Sequence, residues 1–194
     1  MTRMNYKKKI FTESEIQGKD FEDCIFESCK FFGIKFKFTN FKNCVFNTCD
    51  FSESFFDSVG FSDCKFPDSK LSFLDFGNTS LFNCDFGNAV MENCIFQKLK
   101  GASKSDRKIF DLRNCGFKNA NLTSSIFVMC NLAKVNFDKS ILESVVFERC
   151  DLEDTNFSDG RIDGAGFTDC KIKGTILDMN GFISFGSSKG FILK

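Results

Sequence analysis

The stretch FEDCIFESCKFFGIKFKFTNFKNCVFNTCDF, residues 21–51, places a phenylalanine at every fifth position. The same spacing of apolar residues runs without a miss from Phe11 to Phe96 and resumes, one residue out of phase, from Leu112 to Phe182. A period of five fits neither the 3.6-residue repeat of a helix nor the two-residue alternation of a strand, so the chain must turn at each repeat. The sequence therefore predicts a solenoid of five-residue units, each with one apolar centre.

The cysteines support this register, because all eleven lie two residues before one of the apolar centres. Elsewhere the same position holds mostly small or compact residues, among them Ser14, Thr39, Ala89 and Val135. Residues two apart on an extended segment face the same way, so both positions are predicted to point inward and the residue between them outward. We expect the thiols to be reduced and to pack as small hydrophobic groups.

The composition excludes several kinds of site. The chain has 194 residues, with 29 phenylalanines, no histidine and a net charge of zero. Without histidine, no Cys/His or Ser/His nucleophile and no histidine-containing metal site can form, and no glycine-rich phosphate-binding motif follows a strand. We therefore expect no catalytic residue, no cofactor and no metal. Since no signal peptide, lipidation motif or long apolar span is evident, we expect a cytoplasmic protein that does not bind membranes.

The spacing is broken between the centres Phe96 and Leu112. The gap fits either three repeats with one extra residue or one repeat with an eleven-residue insertion. Three repeats would put Asp106 or Arg107 in the core, which favours the insertion.

The insertion forms a predicted loop at about residues 98–109 that is rich in cations and has one acid, Asp106. A loop that projects from a solenoid is a natural binding element. A solvated insertion without a partner is the alternative, because loops lengthen at little thermodynamic cost. The candidate partner-binding residues are Lys98, Lys100, Lys104, Arg107 and Lys108.

Several segments resemble the A(D/N)LXX signature of the pentapeptide-repeat family, including CDFSE at 49–53, CDFGN at 84–88, ANLTS at 120–124 and CDLED at 150–154. The resemblance covers roughly residues 9–184. It implies an all-β fold, a right-handed quadrilateral β-helix with four pentapeptides, or twenty residues, in each coil. The repeats would make about eight coils.

The two ends of such a solenoid must be closed, because an exposed terminal coil invites further strand pairing. We predict an N-terminal cap over residues 1–10, a repeat region over 11–184 interrupted by the loop, and a C-terminal segment over 185–194. No C-terminal helix is evident in the sequence. The residues that would either cap the last coil or form a two-fold dimer contact are Phe185, Phe191, Ile192 and Leu193.

Charge is unevenly spread along the predicted rod. Residues 43–97 carry two basic and eight acidic side chains, and residues 138–169 carry three basic and nine acidic ones. On a solenoid these segments become two acidic bands, one on each side of the basic loop. Ordinary solvated charge is the alternative interpretation, since outward positions must be polar.

The family resemblance also implies a function. Members of the Qnr and toxin-immunity subgroup mimic duplex DNA, bind the type II topoisomerases DNA gyrase and topoisomerase IV, and protect them from quinolones or peptide toxins. The chain is similar to that subgroup in length, in its repeat content and in its projecting loop, and acidic bands suit a phosphate mimic. We therefore expect a non-enzymatic protein with a type II topoisomerase partner and no direct nucleic-acid binding. A homodimer through the C-terminal end is the alternative to a C-terminal segment that caps its own coil. The alternative is a protein-interaction scaffold with no topoisomerase role.

Overall fold

The computed structural model describes residues 4–98 and 109–194, and it forms a right-handed, four-sided β-solenoid of about eight turns. Each side of a turn is one pentapeptide with a short stretch of strand or a single β-bridge at its centre. All pairs between coils are parallel, and partners such as Phe26 and Phe46 are twenty residues apart. The predicted fold class and the coil of four pentapeptides are therefore confirmed.

The strands are short because the chain turns a corner every five residues. Among the residues that the structure describes, two helices, one near each end, complete the solenoid. In chain order the elements are β1 (Asn5–Lys7), α1 (Glu13–Ile16), β2 (Asp20–Glu22), β3 (Ile25–Glu27), β4 (Lys35–Lys37), β5 (Asn40–Lys42), β6 (Val45–Asn47), β7 (Phe55–Asp57), β8 (Val59–Ser62), β9 (Thr79–Phe82), β10 (Ile95–Phe96), β11 (Phe110–Asp111), β12 (Ile126–Val128), β13 (Cys130–Asn131), β14 (Val146–Glu148), β15 (Gly166–Thr168) and α2 (Met179–Ser188).

We number the four faces in chain order. Face 1 contains β1, β3 and β6, and face 2 is joined by isolated bridges such as Lys30 to Asp50. Face 3 contains β4 and β7, then β10, β12, β14 and β15. Face 4 contains β2, β5, β8 and β9, then β11 and β13. The outward position of a face is the residue just before its apolar centre.

The core is built from stacked rings. On face 1 the rings of Phe66 and Phe86 stack 4.9 Å apart, and on face 3 those of Phe96 and Phe127 stack 4.4 Å apart. Rings on different faces meet edge-on, as Phe117 and Phe127 do at 6.2 Å. From Phe66 onward, faces 1 and 3 stack phenylalanine while faces 2 and 4 stack aliphatic centres, as the alternation in the sequence predicted.

The position two before each centre also points inward. Ten of the eleven cysteines are buried there as free thiols, and Cys170 near the C-terminal end is half-buried. A typical thiol, that of Cys44, donates to the carbonyl oxygen of Phe21 at 3.4 Å. Ser14, predicted to point inward, is exposed instead, because α1 replaces the extended segment in the first coil.

The pairing register changes once along the solenoid. Ile95 pairs with Ile126 and Asp85 with Gly116, in each case 31 residues on instead of twenty. The coil that contains the break thus holds eleven residues more than its neighbours, and the stacking of centres continues on both sides of it.

The ends differ from the sequence prediction. β1 pairs with β3 in register, so Tyr6 lies above Phe26 as a centre of the first coil although residues 1–10 were predicted to be a cap. At the other end, where no helix was evident in the sequence, α2 occupies the site of the last predicted repeat and leaves Phe182 exposed. The predicted boundary at residue 184 therefore falls inside α2. Neither helix in the described parts of the chain is long and apolar enough to cross a bilayer.

Candidate interaction surfaces

The insertion leaves the solenoid at the corner between faces 3 and 4, and Lys98 lies at its base. The Lys98 ammonium contacts the carbonyl oxygen of Thr79 and stands 4.2 Å from the centre of the Phe110 ring. Phe110 is buried in an inward position, and its partner in the next coil is Cys130. Since a cation is attracted to an aromatic face, Lys98 is held against the solenoid body. The other predicted loop cations, Lys100, Lys104, Arg107 and Lys108, lie outside the described residues.

The first acidic band, residues 43–97, presents its carboxylates on the outside of the rod. Within the described residues, none of its eight acids forms an ion pair. Asp63 accepts hydrogen bonds from the Asn83 amide at 2.7 Å and the Ser62 hydroxyl at 3.0 Å. These bonds favour the charged form and lower the pKa of Asp63, so the carboxylate is ionised at neutral pH.

The second acidic band, residues 138–169, is partly neutralised by cations on neighbouring coils. Lys118 pairs with Asp138 at 2.9 Å, and Arg161 pairs with Glu143 at 3.2 Å. Glu148 and Asp151 also have basic partners. Among the described residues the second band therefore keeps five acids without an ion pair, and the first band keeps eight.

The C-terminal residues divide into two groups. Phe185, on α2, packs edge-on against Phe167 of the last coil with 5.4 Å between ring centres. Phe191, Ile192 and Leu193 contribute little to the core, because each is at least three-quarters exposed. The four predicted residues are thus not one cluster: the first covers the last coil, and the other three lie on the surface.

The repeats recognised from the five-residue spacing also match known families. A sequence model described as pentapeptide repeats (8 copies) matches residues 29–66 and 60–97, and one described as a pentapeptide repeat region matches residues 110–177. The chain belongs to the pentapeptide-repeat family. No curated protein sequence matches it.

Solved structures place this pentapeptide-repeat protein near QnrB1, whose description is a plasmid-mediated fluoroquinolone resistance protein. A trypsin-treated variant of QnrB1 is similar over 100% of both chains, with 16% sequence identity and a TM-score of 0.71. Full-length QnrB1 is similar over 97% of this chain and 98% of its own, with 17% identity and a TM-score of 0.66. At such low identity the likeness shows the shared fold.

Three buried thiols of this pentapeptide-repeat protein are poor nucleophiles. Burial raises the pKa of Cys94 to about 12 and that of Cys49 to about 12, and burial raises that of Cys24 to about 11. A thiol with so high a pKa is protonated at neutral pH, whereas the thiolate is the reactive form. Among the residues described, no group of cysteines and carboxylates is arranged to hold a metal ion.

Sequence reasoning missed a set of exposed phenylalanines. They do not follow the five-residue spacing, and each lies more than half exposed at an outward or corner position. The available signal was this departure from the period, as in the pairs Phe31–Phe32 and Phe55–Phe56, where only one ring of each pair can be a centre. The exposed members are Phe32, Phe38, Phe55, Phe73 and Phe82.

Proposed function

We propose that this protein is a non-enzymatic binding protein that presents a DNA-like array of negative charge to a type II topoisomerase. In this role it protects DNA gyrase or topoisomerase IV from quinolones or peptide toxins. The observation that supports the proposal is the net negative charge per unit length of the solenoid along the first acidic band, residues 43–97. Since type II topoisomerases act on the chromosome, the role requires the protein to be in the same compartment, the bacterial cytoplasm.

The charge density of the band is close to that of duplex DNA. Residues 43–97 have eight acids and two bases and make up a little under three coils. At about 4.8 Å per coil the band is about 13 Å long, which gives roughly one net negative charge per 2 Å. Duplex DNA carries about one per 1.7 Å of axis, and a topoisomerase groove that neutralises phosphates would meet a similar field on this rod.

The shared fold with QnrB1 over the full length supports the proposal, since fluoroquinolone resistance is the property named for that protein. Fold similarity alone does not transfer a function, so the charge density must carry the argument. We also propose that the loop at 98–109, with its cations, contacts the topoisomerase beside the band. The apolar C-terminal surface is proposed to join two copies about a two-fold axis.

The first prediction concerns DNA supercoiling by gyrase, measured with and without ciprofloxacin. We expect micromolar protein to restore supercoiling in the presence of the drug or to inhibit supercoiling in its absence. Deletion of residues 99–108 is expected to reduce the effect. If the wild-type protein causes neither change, the chain is a scaffold with no topoisomerase role.

A charge-matched pair of variants tests whether the first acidic band carries the effect. Asp50→Asn, Asp63→Asn and Asp85→Asn together remove three charges inside the band while keeping side-chain acceptors, as Asn131 does for the N–H of Ala133. We expect this variant to lose about tenfold or more in apparent affinity for gyrase. A control variant removes three charges outside both bands and is expected to change the affinity little. Its substitutions are Asp20→Asn, Asp23→Asn and Asp111→Asn. Equal losses in the two variants would show that only net charge matters.

A further inference from the structure

Exposed apolar side chains of the repeats collect along face 3. Its outward position holds Phe55, Ile95, Ile126 and Val146 in a single column, interrupted only by Asp75. Ile95 pairs with Ile126 and Ile126 with Val146, so these three lie on successive coils. The corner between faces 2 and 3 adds two more exposed rings. We call the set the apolar strip, which consists of Phe32, Phe55, Phe73, Ile95, Ile126 and Val146.

The fold does not require the apolar strip. Its side chains point outward while the core of face 3 is filled by centres such as Phe127, which is fully buried. Phe73 has a φ of 63° and is 60% exposed. A bulky residue in the left-handed region costs energy, and exposure of its ring gains none. A contiguous row of exposed apolar side chains on a folded domain is typical of an interaction site.

The backbone of the apolar strip excludes one type of partner. Between Ile95 and Gly166 each strand of face 3 is paired with the coils before and after it. Along this part of the strip, an added β-strand would find the backbone groups already paired. A partner on this part of the face must therefore bind through side chains.

The charges bordering the apolar strip are mainly acidic. From residue 53 onward, face 3 and its two corners have eight acids and two bases among the described residues. One base, Arg149, is paired with Glu148 at 2.8 Å, and Lys98 is held against Thr79 and Phe110. The acids are Glu53, Asp57, Asp75, Glu92, Glu143, Glu148, Asp163 and Asp169.

We propose that the apolar strip binds an amphipathic α-helix of another protein, with Lys or Arg beside the apolar row of the helix. The strip from Phe55 to Val146 extends over four coil steps, roughly 19 Å at about 4.8 Å per coil. An α-helix rises about 5.4 Å per turn, so an apolar row at i, i+3 or i+4 and i+7 keeps nearly the spacing of the column. About 13 residues would match its length.

The acidic border of the apolar strip favours a helix with basic flanks over a second copy of the chain as the partner. Two copies meeting face 3 to face 3 would oppose the same acidic border, and like charges across an interface are unfavourable. A helix with basic flanks pairs with that border, and Asp75 within the column can meet a cation of the helix. This surface is separate from the acids chosen to test topoisomerase binding, because Asp50, Asp63 and Asp85 lie on other faces or corners.

The test uses two fluorescein-labelled synthetic peptides of about 15 residues and the full chain. Both peptides have a leucine row at helical spacing, and they differ only in lysine or glutamate at the flanking positions. Fluorescence anisotropy is expected to show saturable binding of the lysine peptide and about tenfold or more weaker binding of the glutamate peptide. Absence of saturable binding by the lysine peptide, or equal binding of both, overturns the proposal.

Variants of the chain locate the binding. Val146, on the apolar strip, and Val90, at the outward position of face 2, are matched in type and in exposure, at 39% and 36%. Val146→Glu and Ile126→Glu are expected to weaken binding of the lysine peptide by about tenfold or more, and Val90→Glu by less than about twofold. Circular dichroism checks that all three remain folded, which outward positions should allow. An equal loss in Val90→Glu excludes the strip as the binding site.

Light scattering and vesicle binding test the other occupants of the apolar strip. Wild-type self-association that Ile126→Glu abolishes would assign the strip to a second copy. Wild-type binding to phosphatidylcholine vesicles that Ile126→Glu abolishes would assign it to a lipid surface. The proposal requires both measurements to be unaffected by this substitution.

Discussion

At the scale of single residues, the corners of the solenoid depend on the position two after each apolar centre. The backbone there is left-handed, with φ of 51° at Asn43 and at Asn83 and 67° at Gly33. Glycine, asparagine and aspartate adopt this conformation at the lowest cost, which explains their frequency at the corners. The same position on face 4 also supports amide-to-carboxylate bonds between coils, such as that from Asn83 to Asp63. Phe38 and Phe73 are costly exceptions that the fold does not explain.

The contacts of the Glu15 side chain predict how the stability of the protein depends on pH. One carboxylate oxygen accepts from the backbone N–H of Thr12 at 2.9 Å and from its hydroxyl at 3.0 Å, and the other contacts the Lys9 ammonium at 2.9 Å. The bond from Lys9, followed by those from Thr12, lowers the pKa of Glu15 from 4.5 to about 2. A carboxyl whose pKa is lower in the folded state than in the unfolded state stabilises the folded protein at any pH above the unfolded-state pKa. This stabilisation disappears as the pH falls through the folded-state pKa.

We therefore expect the stability difference between wild type and Glu15→Gln to be present above pH 4.5 and to disappear as the pH approaches about 2. Urea unfolding at a series of pH values measures the difference, and NMR titration of the Glu15 carboxyl measures its pKa directly. A titration midpoint at the ordinary value of 4.5 would show that the contacts with Lys9 and Thr12 do not persist in solution.

At the scale of secondary structure, the five-residue spacing predicted the apolar centres of the coils but not the helix α2, which depends on whether another coil lies beside it. Centres such as Phe127 were predictable because a five-residue spacing has one solution, an inward column repeated in every coil. α2 was not, because Phe182 keeps that spacing by coincidence and is exposed. Among the described residues no later strand pairs with this segment, and its backbone groups bond within a helix that begins after Asp178, whose carboxylate accepts from the N–H of Gly181. An aspartate at that point was the available signal.

Face 3 allows a comparison of the stability contributed by a phenylalanine that follows the five-residue spacing with that contributed by one that does not. Phe127 is fully buried and stacks on Phe96 and Phe147 at 4.4 and 5.1 Å, whereas Phe55 points outward. Phe127→Ala should lower the free energy of unfolding by about 3–5 kcal/mol, because it leaves a cavity in the stack. Phe55→Ala should change it by no more than about 0.5 kcal/mol. Chemical denaturation gives both values, and similar costs for the two would contradict the assignment of inward and outward positions.

At the scale of the whole molecule, the solenoid is nearly one-dimensional, since each coil contacts only the next, and its two ends differ. The N-terminal end is covered by α1 and by Tyr6, which stacks on Phe26 at 5.0 Å. The C-terminal end is less covered, because Ile172, an apolar centre of the last coil, is 46% exposed even with α2 in place. A repeat protein needs a polar outer face at each end to stay monomeric. The apolar end therefore favours association of two copies.

Two-fold association at this end predicts a response to charge at the C-terminal tail. In a symmetric contact every substitution occurs twice, so Ile192→Glu with Leu193→Glu brings four carboxylates into the interface and should convert a dimer into a monomer. Ile10→Glu is the control, because Ile10 is also an aliphatic residue that is mostly exposed, at 70% against 85% for Ile192, but lies at the other end. Light scattering at several concentrations measures the mass. A wild-type protein that is monomeric throughout, or a dimer that Ile10→Glu dissociates, would contradict association through the C-terminal end.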